Sequence, residues 1–148
     1  MSKGYSGLYE GTKGGSGSNG GRVSVGNTEA SADSLTPIVT YDKDGNKLVN
    51  GCPAKVHEGQ QGKHIPGHKN YREGRSKLTI SMSDADKLIR EKGGTGKMVA
   101  HNSNRERVDF GIVIGFYVDN ETGTSLPTSK GIIHYSKSGA HIVPSYPN

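Results

Sequence analysis

Six histidines in a chain of 148 residues with a formal net charge of +5 are the first feature that points to chemistry. Four of them fall into two pairs, His64 with His68 and His134 with His141, set among Lys, Arg, Ser and Tyr. An imidazole ionises near pH ~6.5, so one histidine can take a proton while another gives one at neutrality. Cleaving RNA without a metal needs a base for the 2′-hydroxyl, an acid for the leaving 5′-oxygen and a cation for the phosphorane, and this composition supplies all three.

Other chemistries fit less well. His64 and His68 have the spacing of two zinc ligands on one helical face, but Pro66-Gly67 between them rules out a helix and no Glu follows His64. Gly93-Gly-Thr-Gly-Lys97 is similar to a phosphate loop. That motif wants Gly where Glu91 stands and Ser or Thr where Met98 stands, so a helix C-cap and turn explain the glycines better. Asp42-Lys-Asp-Gly-Asn lacks the Gly and Glu positions of a calcium loop, and His101-Asn102 lacks the rest of a His-Asn-His nuclease pattern. With one cysteine, Cys52, there is neither an intramolecular disulfide nor a multi-Cys zinc site, and no cofactor or metal is expected.

The elements that must position these residues are drawn from a modest supply of apolar side chains: 30% hydrophobic, no Trp, two Phe and 23 Gly, enough for one small domain. The apolar runs are far shorter than the roughly 20 residues of a membrane span, so no membrane anchor is expected, and the start of the chain lacks the apolar stretch of a secretory signal. Residues 1–54 carry five Lys/Arg against five Asp/Glu, and residues 55–148 carry fourteen against nine. The excess is densest at Lys63, Lys69, Arg72, Arg75 and Lys77, where Glu73 is the lone acid, a patch suited to a polyanion.

Nine Gly and seven Ser in residues 1–35 read as a linker, followed by a short hairpin around Asp44-Gly45, so the chain divides into residues 1–54 and a domain of residues 55–148. In the second part Leu78, Ile80 and Met82 alternate as a strand, and Ser83 caps a helix that ends at Gly93-Gly94. Val108 to Val118 alternate as one long strand, and Ile132–Tyr135 and Ala140–Val143 form a closing hairpin. The expected class is α+β, a helical segment followed by an antiparallel meander.

The register of that last hairpin decides which histidines meet. A two-residue loop at Ser138-Gly139 sets Ser136 against His141, with His134, Ser136 and His141 on one face; a bulge at Gly139 sets Tyr135 against His141 and turns His134 away. Both remain open on the residues alone.

Lys63-His-Ile-Pro-Gly-His-Lys-Asn-Tyr71, Gly74-Arg-Ser-Lys-Leu-Thr79, Gly94-Thr-Gly96, Val108-Asp-Phe-Gly, Ile114-Gly-Phe-Tyr-Val-Asp119 and His134-Tyr-Ser-Lys-Ser-Gly-Ala-His-Ile-Val-Pro144 together resemble the bacterial polymorphic toxin type 50 domain, in order from about Gln60 to Pro144. The resemblance implies membership of the barnase, EndoU, colicin and RelE nuclease group, with an N-terminal helical segment and a four-stranded antiparallel sheet. It implies a metal-independent endoribonuclease, with tRNA as the expected substrate and a 2′,3′-cyclic phosphate product. A non-catalytic nucleic-acid-binding module and a metal-dependent DNase are the alternatives. His64, His134 and His141 carry over as catalytic, with Lys63, Arg75 and Ser136 as helpers; Lys69, Tyr71, Arg72, Lys77, Tyr135 and Lys137 are assigned to RNA. His68 stands where the family often has a small residue such as Thr and is assigned to RNA binding as well. The resemblance further implies the C-terminal part of a larger secreted or otherwise delivered protein, action in the target-cell cytoplasm, and a cognate acidic immunity protein.

Overall fold

Ten strands in three sheets and two short α-helices make up residues 35–148, which the computed structural model describes. All but the last residue of the expected 1–35 linker lies outside them. The strands are β1 (Val39–Tyr41), β2 (Lys47–Val49), β3 (Cys52–Pro53), β4 (Lys77–Leu78), β5 (Lys97–Met98), β6 (Arg105–Asp109), β7 (Gly115–Val118), β8 (Ser125–Thr128), β9 (Lys130–Ser136) and β10 (Gly139–Pro144). Helix α1 (Glu58–Gln61) runs into a 3₁₀ turn at Gly62–His64, and α2 spans Met82–Lys92. The sheets are β10-β9-β6-β5, β1-β2-β3 and β4-β7-β8, each antiparallel.

This overturns the expected N-terminal helical segment followed by a single four-stranded sheet of the barnase, EndoU, colicin and RelE type: the described residues are mostly β. Two local features explain the difference. Between α1 and β4 the chain passes Gly67 and Gly74, both at positive φ, so no long helix forms there. The long alternation from Val108 to Val118 is broken at Gly111, whose φ is 79° and whose N–H donates to Asp109 Oδ1 at 3.0 Å. That turn sends β6 and β7 into different sheets and leaves Ile112 and Val113 exposed.

Helix α2 starts two residues earlier than expected, capped by Ser81, whose Oγ accepts from Asp84 N at 3.0 Å, so Met82 is helical rather than extended. Ala85 and Ile89, one turn apart, are its buried residues and enter a core with Leu78, Val108, Ile114, Ile133 and Ile142. Val49 and Ala54 belong to the same core, and Lys47 Nζ donates to Gly93 O at 2.9 Å, so the β1–β3 hairpin packs with the rest. Asn50 and Gly51, both at positive φ, make the tight turn that returns β2 into β3.

Candidate functional site

The closing hairpin takes neither expected register. Ser136 faces Gly139 across a two-residue turn at Lys137-Ser138, which sets His134 directly against His141. Alternation sends Ile133, Tyr135, Ala140 and Ile142 into the core and leaves Ile132, His134, Ser136, His141 and Val143 on the outer face. The rings of His134 and His141 stack at 4.9 Å between centroids with planes 22° apart. On the other side of β9, His134 faces Arg105 of β6.

The third histidine arrives on a segment that runs along the free edge of β10. Ala140 N donates to Lys55 O at 2.7 Å, and His57 N donates to Ala140 O at 2.7 Å. The Gln61 side chain, fully buried, then behaves like one more strand residue: Nε2 donates to Ile142 O at 2.9 Å and Oε1 accepts from Ile142 N at 2.7 Å. One further 3₁₀ turn brings His64, 6% exposed, to 5.9 Å from His141 with the rings 14° from parallel. The result is a column of three imidazoles, His64, His141 and His134, with His141 in the middle.

Among the described residues, the charges that act on this column are positive. Burial holds His64 below the usual histidine range, and Arg75 and Lys63 add to the effect, while the Ser76 carbonyl works against it. That carbonyl lies 2.8 Å from His64 Nδ1; because it can only accept, Nδ1 carries the proton and Nε2 keeps its lone pair. His134 is lowered by burial, then by Arg105 and His64. His141 is lowered furthest, to about 3, by burial and then by His134, His64, Lys63 and His57. A desolvated, cation-rimmed row of neutral imidazoles is a site made for an anion.

The column thus gathers His64, His134 and His141, with Lys63 and Arg75 near enough to act on it. Ser136 lies at the hairpin turn, where its Oγ donates to Gly139 O at 2.9 Å, and Lys137 is exposed in the same turn. His68 packs its ring over Gly62, where any Cβ would collide with it, and its Nδ1 accepts from Asn70 N at 3.0 Å, so it braces the turn that carries His64. Lys69 and Arg72 are exposed, Tyr71 is half-buried, and Lys77 of β4 pairs with Phe116 of β7. Tyr135 lies on the opposite face, buried, its hydroxyl donating to Glu106 Oε1 at 2.6 Å; burial and that carboxylate push its ionisation well up, and it is out of reach of RNA.

Sequence reasoning missed Arg105, Gln61, Ser76 and His57. Arg105 was hidden because the buried residue beside it is Glu106, which breaks the apolar alternation of β6. Glu106 is fully buried and its carboxylate accepts from Gly94 N, Gly96 N and Tyr135 Oη. The glycine loop that is similar to a phosphate loop therefore holds an anion after all, one from its own chain. Among the described residues no group of three or more His, Cys, Asp and Glu side chains is arranged to hold a metal ion. Stacked rings aim their nitrogens along parallel planes rather than at one point, which fits that observation.

A model of the bacterial toxin 50 family matches residues 56–144, more than half the chain. The chain belongs to the bacterial toxin 50 family. It is a bacterial polymorphic toxin domain, and a search of the curated proteins found no match to it. The matched span opens at Val56, bridged in parallel to Ala140, and closes at Pro144, the last residue of β10, so it contains the whole histidine column. No helix of the described toxin domain is long and apolar enough to cross a membrane.

Proposed function

We propose that the toxin domain is an endoribonuclease that works without a metal, with tRNA as its substrate. The observation that carries this reading is the column itself: three imidazoles in line, one with its tautomer set by a backbone carbonyl, rimmed by Lys63, Arg75 and Arg105. His64 Nε2 takes the proton from the 2′-hydroxyl, and the O2′–P bond forms. The P–O5′ bond breaks as protonated His134 gives its proton to the leaving oxygen, and the product is a 2′,3′-cyclic phosphate. His141, kept neutral between them, donates its N–H to a non-bridging oxygen, and the three cations share the phosphorane charge. A bound phosphate offsets the repulsion from Arg105 and raises His134 toward the range in which it holds a proton.

In this reading the domain is the C-terminal part of a larger delivered protein and acts in the cytoplasm of the target cell. A cognate acidic immunity protein blocks the basic site in the producer, opposite charge speeding the encounter. The test is to incubate the full chain with tRNA, total RNA and plasmid DNA, each with and without EDTA. Cleavage of RNA to cyclic-phosphate ends in both conditions supports the proposal. EDTA-sensitive cutting of DNA favours a metal-dependent DNase instead, and RNA binding without turnover favours a binding module.

A further inference from the structure

Beside the histidine row, the outer face of the four-stranded sheet carries a second row in register: Arg107, Ile132 and Val143 lie across from one another, one step along from Arg105, His134 and His141. Ile132 and Val143 are half-buried and make an apolar floor. The chain leaving β10 folds back over this strip, and Arg107 Nη2 donates to Tyr146 O at 2.8 Å, which fixes where Tyr146 lies. Tyr146 is 47% exposed, and its ring meets Tyr117 edge-on, centroids 5.5 Å apart and planes at 86°. Tyr117 belongs to the histidine end of the site through Ser76, which accepts from Val118 N through its hydroxyl at 3.0 Å and holds His64 through its carbonyl at 2.8 Å. The tyrosine pair is therefore tied to the histidine row from both sides, by Arg107 and by Ser76.

An apolar floor, an exposed aromatic ring braced edge-on by a second ring, and a guanidinium are what a nucleobase next to a phosphate requires. We infer that Tyr146, braced by Tyr117 and Arg107, is the platform on which the base flanking the scissile phosphate stacks. This rests on the ribonuclease reading. It gives the enzyme a handle on unpaired nucleotides, because a stacked base presents its face only when it has left a duplex. It also places context preference in residues that take no part in proton transfer.

The test uses the full chain and a short oligoribonucleotide carrying a bond the wild-type protein cuts, alongside a copy with an abasic residue flanking that bond. Tyr146→Ala should raise KM or Kd about 5- to 100-fold with kcat nearly unchanged, and Tyr146→Trp should restore tight binding, whereas Tyr146→Leu should not. The abasic substrate should weaken the wild type by a similar factor and leave Tyr146→Ala indifferent. Equal losses for both proteins on the abasic substrate, or a Tyr146→Ala variant that is folded and binds as the wild type does, would overturn the inference. Binding to single-stranded oligoadenylate, read by fluorescence anisotropy, separates the two proposals. Loss of binding in Tyr146→Ala by a protein that cleaves nothing supports the platform while sinking the ribonuclease, and a wild type that neither binds nor cleaves sinks both.

Discussion

His134 and His141 face each other across β9 and β10 with ring centroids 4.9 Å apart, and His134 makes protonation of His141 harder. Two cations at that separation repel strongly in a half-buried site, so the pair does not hold two protons near neutrality. The pH behaviour of the toxin follows from this mutual exclusion.

The proposed mechanism needs His64 neutral as base and His134 protonated as acid in the free protein, and both ionise below the ordinary histidine value. The profile of kcat/KM, which reports the free enzyme, should therefore be a bell whose maximum lies below pH ~6.5. Arg105→Ala removes a cation from beside His134, so its alkaline limb should move to higher pH while RNA affinity falls. A maximum well above neutrality in the wild type would overturn the choice of His64 and His134 as the proton-transfer pair.

Replacing His64 or His134 by Ala should lower the single-turnover rate by roughly 10²- to 10⁴-fold with RNA affinity nearly unchanged. Lys69→Ala and Arg72→Ala, both at exposed positions, should instead weaken binding, flatten its salt dependence and spare the rate at saturating RNA. Rates and melting temperatures measured together distinguish a reacting histidine from one whose loss merely unfolds the protein.

Stability should fall in acid through the same rings. The folded pKa of His141 is depressed to about 3, so between that value and the unfolded value of 6.5 the unfolded chain binds more protons than the folded one. The stabilisation is complete above 6.5 and is lost as pH falls through that window. One imidazole contributes at most about 1.4 kcal/mol per pH unit, and less once solvent screening of a half-buried ring is allowed for. Urea titrations across the window should show the slope in the wild type and a shallower one in His141→Ala.

Gln61→Ala leaves Ile142 N and O without their partners in a buried place, which should cost roughly 1–3 kcal/mol for each unsatisfied group. Activity should fall further than the folded fraction does, because the turn carrying His64 loses its anchor. Circular dichroism and single-turnover kinetics on one preparation give both quantities.

We propose that the working domain includes the β1–β3 hairpin. Removing residues 1–34 should leave turnover within a few-fold. Removing residues 1–54 takes Val49 and Ala54 out of the core and should lower Tm by roughly 10 °C or more. Calorimetry of the two deletions decides it.

The residue types of the site were legible in the sequence, and their arrangement was not. His64, His134 and His141 stand out by chemistry alone, and the hairpin that bears two of them follows from its alternation and turn residues. Its register does not, because loops at Lys137-Ser138 and Ser138-Gly139 are equally compatible with the flanking strands. His64 is placed by an amide bonded to a strand 81 residues away, and a lone Gln has no periodic signature. The fold failed at single residues of the same kind. Gly111 splits a run that alternates as one strand, and Ser81 rather than Ser83 caps α2, since both serines precede acids at suitable spacing.

The bond between Gln61 and Ile142 also governs when the protein becomes dangerous. It closes a loop of most of the domain, and the entropy of that closure must be overcome before the contact can contribute. A ribosome-bound chain that has not yet released β9 and β10 holds one histidine of the column and lacks the other two. A chain threaded unfolded through a narrow channel holds all three, scattered. On the ribonuclease reading proposed above, catalytic competence is therefore latched to that closure, and the domain is inert wherever it is prevented.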